Sequence, residues 1–169
     1  MTQFICHGPY KIPTTKQHVG RTISKSNVSQ FWKLSAINAA GVGCYVFAMR
    51  AGQSVKPLYV GRATKSFAQE AFATDKLNKY YTGLAQYKKG TPVLFFIGHP
   101  PSKKGMPNIK HIKALERLLI QQGALANPHL MNVQHNSIPK WGISGVLRST
   151  TKKPTSNAKA LRSCMGFTG

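Results

Sequence analysis

Two tyrosines, each separated from a glycine by one residue, lie on neighbouring segments and could present hydroxyl groups to a substrate. Gly43 precedes Tyr45, and Tyr59 precedes Gly61. Both segments are rich in apolar and β-favouring residues, and the Ala-Gly-Gln-Ser sequence at 51–54 has the chemistry of a turn. The sequence therefore predicts a β-hairpin over 43–61 with one tyrosine on each strand.

One glutamate lies inside an apolar helical stripe, where a carboxylate is costly. Glu116 falls four residues after Ile112 and four before Ile120. An unpaired buried carboxylate costs several kcal/mol or takes up a proton. Two interpretations stay open: a salt bridge to one of the many lysines, or a ligand for a hard cation such as Mg²⁺, which prefers oxygen ligands and keeps several waters.

The elements that would position these side chains follow from periodicity and capping residues. We predict an α/β protein of the α+β type, in which helices flank a small central antiparallel sheet of about three strands. Trp32 falls within the apolar set of the first helix and is predicted to be a core residue. The predicted elements are a helix over 26–40, the hairpin over 43–61, a helix over 67–87, a strand over 92–97, a helix from Asn108 to Gln122 that stops at Gly123, and a terminal helical turn over 158–165.

The chain divides into three predicted regions. Residues 1–42 form a basic N-terminal extension, broken early by proline and glycine, whose helix packs on the core. Residues 43–133 form the central domain, and residues 134–169 form a basic C-terminal extension.

The charge balance indicates a polyanionic partner. The 169 residues include 24 lysines and arginines against 3 acids, which gives a formal net charge of +21. Such a field attracts nucleic acid strongly and opposes self-association. An anionic membrane is the weaker alternative, because we find neither a basic amphipathic helix nor a long apolar run.

The cysteines favour a reducing environment. Cys6, Cys44 and Cys164 are odd in number and widely spaced, so they predict neither a disulfide framework nor a zinc knuckle. The first residues lack a secretory apolar region. We therefore expect a cytoplasmic protein.

Several motifs in order along residues 41–133 resemble the GIY-YIG nuclease superfamily. These are Gly-x-Tyr at 43–45, Tyr-Val-Gly at 59–61, Glu116 in its helix, and Pro-x-Leu-x-Asn at 128–132. The resemblance implies a small antiparallel sheet flanked by helices, which agrees with the elements predicted above. It also implies an endonuclease that hydrolyses DNA phosphodiester bonds with one divalent ion, Mg²⁺ or Mn²⁺, and needs no small-molecule cofactor.

The same resemblance suggests a role for each motif residue. Glu116 matches the metal-binding glutamate, and Tyr45 matches the tyrosine that assists deprotonation of the attacking water. Tyr59 matches the tyrosine that orders water and phosphate, and Asn132 matches the asparagine that closes the pattern. A phenol has a pKa of about 10, so base chemistry at neutral pH would need strong stabilisation by nearby cations.

The sequence departs from the family at the arginine expected eight residues after Gly61, where this chain has Gln69. Arg62 or Lys65 could supply the missing positive charge. Alternatively, Lys76 and Tyr80 could replace the usual arginine and the tyrosine four residues beyond it, since residues at i and i+4 project to one side of a helix. We favour Arg62 with Lys76.

Further basic and polar residues are predicted to contact the nucleic-acid backbone. DNA is the expected partner and RNA the second choice. A catalytically impaired nucleic-acid binder on the same scaffold is the alternative function, and an unrelated ribosomal-type RNA binder would explain the charge but not Glu116 or the tyrosine pair. The predicted backbone contacts are Lys65, Lys79, Asn132, Lys140, Arg148, Lys152 and Lys153.

Overall fold

A computed structural model describes residues 2–18, 20–100, 106–135, 143–146 and 153–165. The chain separates into two compact units, Met1–Asn136 and Ser137–Gly169. The first unit is an α+β fold built on a four-stranded antiparallel sheet, which confirms the predicted fold class. None of the described helices is long and apolar enough to cross a membrane.

The predicted hairpin forms the inner part of this sheet. Strands β4 (Gly43–Ala51) and β5 (Ser54–Ala63) are antiparallel, and Gly52 makes the turn with a φ of 59° that glycine tolerates best. Strand β6 (Thr91–Gly98) pairs with the other side of β4, as the apolar run at 92–97 indicated.

The fourth strand comes from the N-terminal region, where the sequence had suggested only turns. Strand β1 (Ile5–Lys11) pairs antiparallel with β6, so the sheet order is β1-β6-β4-β5. The register of this pair shifts between His7 and Tyr10, where Gly8 and Pro9 interrupt the strand. The expectation of about three strands was therefore too low by one, because these breakers bend an edge strand without abolishing it.

The rest of the N-terminal region packs against the sheet. Strands β2 (Thr15–Gln17) and β3 (Gly20–Thr22) form a small second sheet, and helix α1 (Lys25–Leu34) follows. Ser24 caps α1, and its side chain accepts a hydrogen bond from the Asn27 backbone N–H. Trp32 packs on the core beside Phe31, as predicted, with ring centroids 5.2 Å apart.

The helix predicted over 67–87 is broken into α2 (Phe67–Glu70) and α3 (Thr74–Gln86). Two phenols explain the interruption. The hydroxyl of Tyr45 donates to the Glu70 carbonyl, and that of Tyr80 donates to the Ala71 carbonyl. Because these side chains satisfy carbonyls at the end of α2, the backbone can leave the helix without burying unpaired acceptors.

Helix α4 (Ile109–Ala126) covers the opposite face of the sheet. Asn108 caps it as predicted, but the helix continues past Gly123, where we expected it to end. Gly123 lies against Leu130, and a Cβ there would be 3.2 Å from that side chain, so this glycine serves close packing rather than termination.

Two cores result, one on each face of the sheet. The face towards α1, α2 and α3 carries the aromatic core, and the face towards α4 carries a smaller aliphatic one made by Val60, Ile120, Ala124 and Leu130. The larger core includes Phe31, Tyr45, Phe47, Tyr59, Phe67, Tyr80 and Phe96.

In the second unit, helix α5 (Ser156–Met165) extends the terminal helical turn predicted over 158–165. Ala158 is buried, and Gly145 lies so close to it that an added Cβ would be 2.9 Å from the alanine Cβ.

We expect Gly61→Ala to lower the free energy of unfolding by about 1–3 kcal/mol, because a buried ring fills the space that the new methyl group needs. A Cβ at Gly61 would lie 2.3 Å from Cζ of Tyr45. Gly98→Ala is the matched control, since the nearest atom to its added Cβ is 3.8 Å away. Equal effects of the two substitutions in urea unfolding would contradict this packing.

Candidate functional site

The hairpin register brings the two motif tyrosines onto one face of the sheet. Tyr45 lies opposite Gly61 and Tyr59 lies opposite Phe47, so the two phenol rings are diagonal neighbours with centroids 6.5 Å apart. The ring of Tyr45 fills the space above Gly61. A Cβ at position 61 would clash with this ring. The predicted pairing of the phenols is therefore present.

Tyr45 is nevertheless wholly buried. Its hydroxyl donates to the Glu70 carbonyl at 3.3 Å, and burial raises the pKa of this phenol far above its ordinary value. A phenol in such surroundings stays protonated at neutral pH. This environment argues against the predicted part of Tyr45 in deprotonating water and favours a positioning role.

Tyr59 reaches the edge of the core and carries two ammonium groups above its ring. The Nζ atoms of Lys76 and Lys79 lie 5.9 and 5.4 Å from the ring centroid, in cation–π geometry. Burial raises the pKa of Tyr59, although the charge of Lys76 and its hydrogen bond to the phenol oppose that rise. Tyr59 thus offers a protonated hydroxyl beside fixed positive charge.

Lys76 keeps its proton in this setting. Partial burial disfavours the charged form of Lys76. The hydrogen bond to Asp75 and the proximity of Tyr59 together outweigh this effect of burial, so the pKa of Lys76 is raised. The Nζ of Lys79 donates to the Met131 carbonyl at 3.4 Å, which anchors the second lysine.

Tyr80 does not join this group. The i,i+4 spacing placed it beside Lys76, but its ring is fully buried and stacks on Phe47 with centroids 4.3 Å apart. Its hydroxyl donates to the Ala71 carbonyl at 2.6 Å. This geometry argues against the prediction that Tyr80 replaces a motif tyrosine at the site, because this side of α3 faces the core.

Glu116 and Arg62 form an ion pair between α4 and β5. The glutamate side chain is 13% exposed and that of the arginine 42%. The sequence had anticipated a lysine as the partner of a salt-bridged Glu116, and the partner is an arginine. Burial is the main reason that the pKa of Tyr59 is raised, and the charge of Glu116 adds less to this rise than that of Asp75. Arg62 and Tyr59 belong to opposite faces of β5.

The side chain of Asn132 hydrogen-bonds to the backbone of the edge strand β5. Its side-chain Oδ1 accepts from the Val60 N–H at 2.9 Å, and its Nδ2 donates to the Val60 carbonyl at 2.8 Å. The Met131 N–H donates to the Leu58 carbonyl. These bonds cover the otherwise unpaired edge of β5, so buried Asn132 has a structural role. Its amide group is already used in them, which argues against the predicted contact of Asn132 with the nucleic-acid backbone.

The loop after β5 depends on Glu70, a residue that no sequence motif singled out. The Glu70 carboxylate accepts the backbone N–H groups of Thr64 and Lys65 at 2.6 and 2.7 Å. The only signal was its place shortly after the Tyr-Val-Gly motif. By this bond Glu70 fixes the loop that presents exposed Lys65, while Gln69 is also exposed.

The remaining predicted contacts lie in the second unit. Lys153 is exposed there. Lys140, Arg148 and Lys152 lie outside the described residues.

A divalent ion would have to be held mainly by Glu116. The part of the chain that the structure describes contains no cluster of three or more histidine, cysteine, aspartate or glutamate side chains. One partly exposed carboxylate suits a hard cation that keeps most of its water, although Arg62 competes for it. The prediction of Mg²⁺ or Mn²⁺ therefore rests on this one carboxylate.

Comparison with known proteins does not extend this picture. No protein-family model matches the chain, and neither the curated proteins nor the solved structures include a match. The resemblance to the GIY-YIG superfamily thus remains a prediction from the motifs.

We expect Asn132→Ala to lower the free energy of unfolding by about 1–3 kcal/mol, because it leaves the Val60 N–H and carbonyl without their partner. Exposed Gln134→Ala should change it by less than about 0.5 kcal/mol. Urea unfolding measures both. Unchanged stability of Asn132→Ala together with weaker nucleic-acid binding would restore the direct contact predicted from sequence.

The buried phenol of Tyr45 should make stability fall at high pH. The unfolded chain releases this proton at a pKa of about 10 whereas the folded chain retains it, so the free energy of unfolding drops as the pH rises above 10. Between pH 9 and 11, Tyr45→Phe should lose about 1.4 kcal/mol less than the unmodified chain. Urea unfolding at both pH values measures this difference, and parallel losses would show that Tyr45 ionises freely when folded.

Proposed function

We propose that this chain is a divalent-metal-dependent endonuclease that hydrolyses DNA phosphodiester bonds at the surface around β5. One geometric observation carries the proposal: Glu116, a carboxylate 13% exposed, pairs with Arg62 on β5, the same strand whose Tyr59 ring lies under two lysines. In a chain of net charge +21, acids are scarce, and a binding surface gains nothing from a carboxylate unless a cation uses it.

Each side chain then has a defined task. Lys76, Lys79 and Lys65 would neutralise phosphate oxygens, and the fixed charges would stabilise the negative charge that grows on the phosphoryl group. Neutral Tyr59 would donate a hydrogen bond to that group or to the attacking water. Glu116 would hold Mg²⁺ or Mn²⁺, which supplies Lewis-acid polarisation of a phosphoryl oxygen and lowers the pKa of water.

Arg62 links substrate binding to the availability of Glu116. A guanidinium group binds phosphate as readily as carboxylate in two parallel hydrogen bonds. An arriving phosphodiester would therefore compete for Arg62 and release the carboxylate for the cation. Arg62 would thereby provide part of the charge that the family usually obtains from the helix arginine, replaced here by Gln69.

Tyr45 contributes by position. Its ring, packed over Gly61, fixes β5 against β4 and so sets where Tyr59 emerges at the edge of the core. We count it as a positioning residue and not as the base.

The proposed partner and compartment follow from charge and thiol chemistry. Backbone contacts do not distinguish DNA from RNA strongly, so DNA is the first choice and RNA the second. All three cysteines are free thiols, which is compatible with the proposed reducing cytoplasm.

The second candidate is a nucleic-acid-binding protein without cleavage. The ion pair of Arg62 with Glu116 specifically favours it, because the arginine neutralises the carboxylate with no metal required. Such a surface would attract phosphate as it stands.

The two candidates separate in a plasmid-nicking assay with Mg²⁺ or Mn²⁺. Glu116→Gln should reduce the nicking rate at least about 100-fold, since the loss of the metal ligand removes several kcal/mol of charge stabilisation. Asp75→Asn is the matched control: it also removes a carboxylate near Tyr59 and should change the rate by less than about threefold.

Nicking that survives Glu116→Gln would contradict the proposed mechanism. Tight plasmid binding by the unmodified chain, without nicking in either metal, would select the second candidate. A mobility-shift measurement on the same samples provides the binding result.

A further inference from the structure

A second strongly basic surface lies at the other end of the β4–β5 hairpin. Lys56 on β5 lines one groove together with half-buried Tyr87 and with Lys88 and Lys89, two exposed residues that follow helix α3. The Nζ of Lys56 is 5.5 Å from the centroid of that ring. We call these four residues the tip surface.

The tip surface is held in a fixed shape by residues remote in sequence. The Arg21 guanidinium on β3 donates to the Tyr87 carbonyl at 2.7 Å and also to the Gly90 carbonyl. Met49 fills the space beside Gly90, where an added Cβ would be 2.2 Å from its Cγ. The two lysines between these anchors are therefore presented by an anchored turn.

No acid neutralises this surface. The two ion pairs found among the described residues are Arg62–Glu116 and Lys76–Asp75, both at the proposed catalytic end. Asp75 lies in the first turn of α3, and twelve steps of about 1.5 Å each put it about 18 Å along the helix axis from Tyr87. That distance exceeds the screening length of about 8 Å at physiological salt, so the tip lysines remain an uncompensated cluster.

The end of a helix attracts cations, but this effect is too small to account for the cluster. The C-terminus of α3 carries a partial charge of about −0.5, against three ammonium groups on the tip surface. Most of the positive charge therefore lacks a partner within the described chain. A polyanion would relieve the mutual repulsion.

We propose that the tip surface binds the phosphate backbone of the nucleic acid whose scissile bond occupies the Glu116 end. This inference rests on the nucleic-acid partner of the proposed function. Arg62 follows Lys56 by six positions along β5, which corresponds to about 20 Å at 3.3 Å per residue. The same distance spans about six base pairs of duplex, and the proposal places both surfaces on one substrate of at least that length.

The salt dependence of binding to a 24-base-pair duplex tests this surface. Lys88→Gln/Lys89→Gln should reduce the magnitude of the slope of log affinity against log salt by about 1.8, because two phosphate contacts are lost. Lys56→Gln alone should reduce it by about 0.9. Thermal unfolding checks that the variants fold.

The matched control is Lys25→Gln/Lys33→Gln, which removes the same charge from two exposed positions of α1. Its slope should stay within about 0.5 of the unmodified value. Equal reductions by the two double variants would show a general charge effect and overturn the proposal, as would an unchanged slope for Lys88→Gln/Lys89→Gln.

Failure of the proposed function would look different. Absence of nicking leaves the slopes measurable, so the tip surface is judged independently of cleavage. If the unmodified chain binds duplex with no salt dependence, the nucleic-acid partner itself is wrong and both proposals are overturned.

Discussion

The packing of the Tyr45 ring over Gly61 is the constraint on which the rest of the first unit depends. Only a glycine leaves room for the ring, so this pair fixes the register of β4 against β5. A slip by one residue would move every side chain of a strand to the other face. Tyr59 would then leave the aromatic core, and Arg62 would lose its place opposite α4.

Strand β5 unites features of both faces of the sheet. On one face of β5, Tyr59 contacts the lysines of α3, and on the other face Arg62 pairs with Glu116 of α4. The free edge between them is closed by Met131 and Asn132 instead of another strand. This arrangement brings charged side chains from two separate helices to one strand.

The three acids are unevenly placed, so the two ends of the β4–β5 hairpin differ in charge. Asp75 and Glu116 each pair with a cation near Tyr59, and Glu70 secures the loop that carries Lys65. The opposite end of the hairpin carries basic side chains and none of the three acids. In the proposed function, the end with the acids would hold a cation as well as phosphate, whereas the other end would attract only anions.

Local patterns predicted much of the fold. Alternation and turn residues located the hairpin, an apolar run located β6, and the capping residue located the start of α4. They failed where distant residues decided the outcome. Strand β1 exists because β6 offers it an edge, and the break after α2 exists because Tyr45 and Tyr80 supply its carbonyls with donors.

The sequence by itself determined that two tyrosines share a hairpin and that Glu116 lies on a helix stripe, because strand and helix periods are local properties of the backbone. Tertiary structure alone decided that Tyr45 and Tyr80 are buried, that Arg62 is the partner of Glu116, and that Lys76 and Lys79 cover Tyr59. Each of these outcomes depends on which segments pack together across long stretches of chain. Periodicity gives the face on which a side chain lies, but the element that meets this face is chosen by the packing of the whole domain.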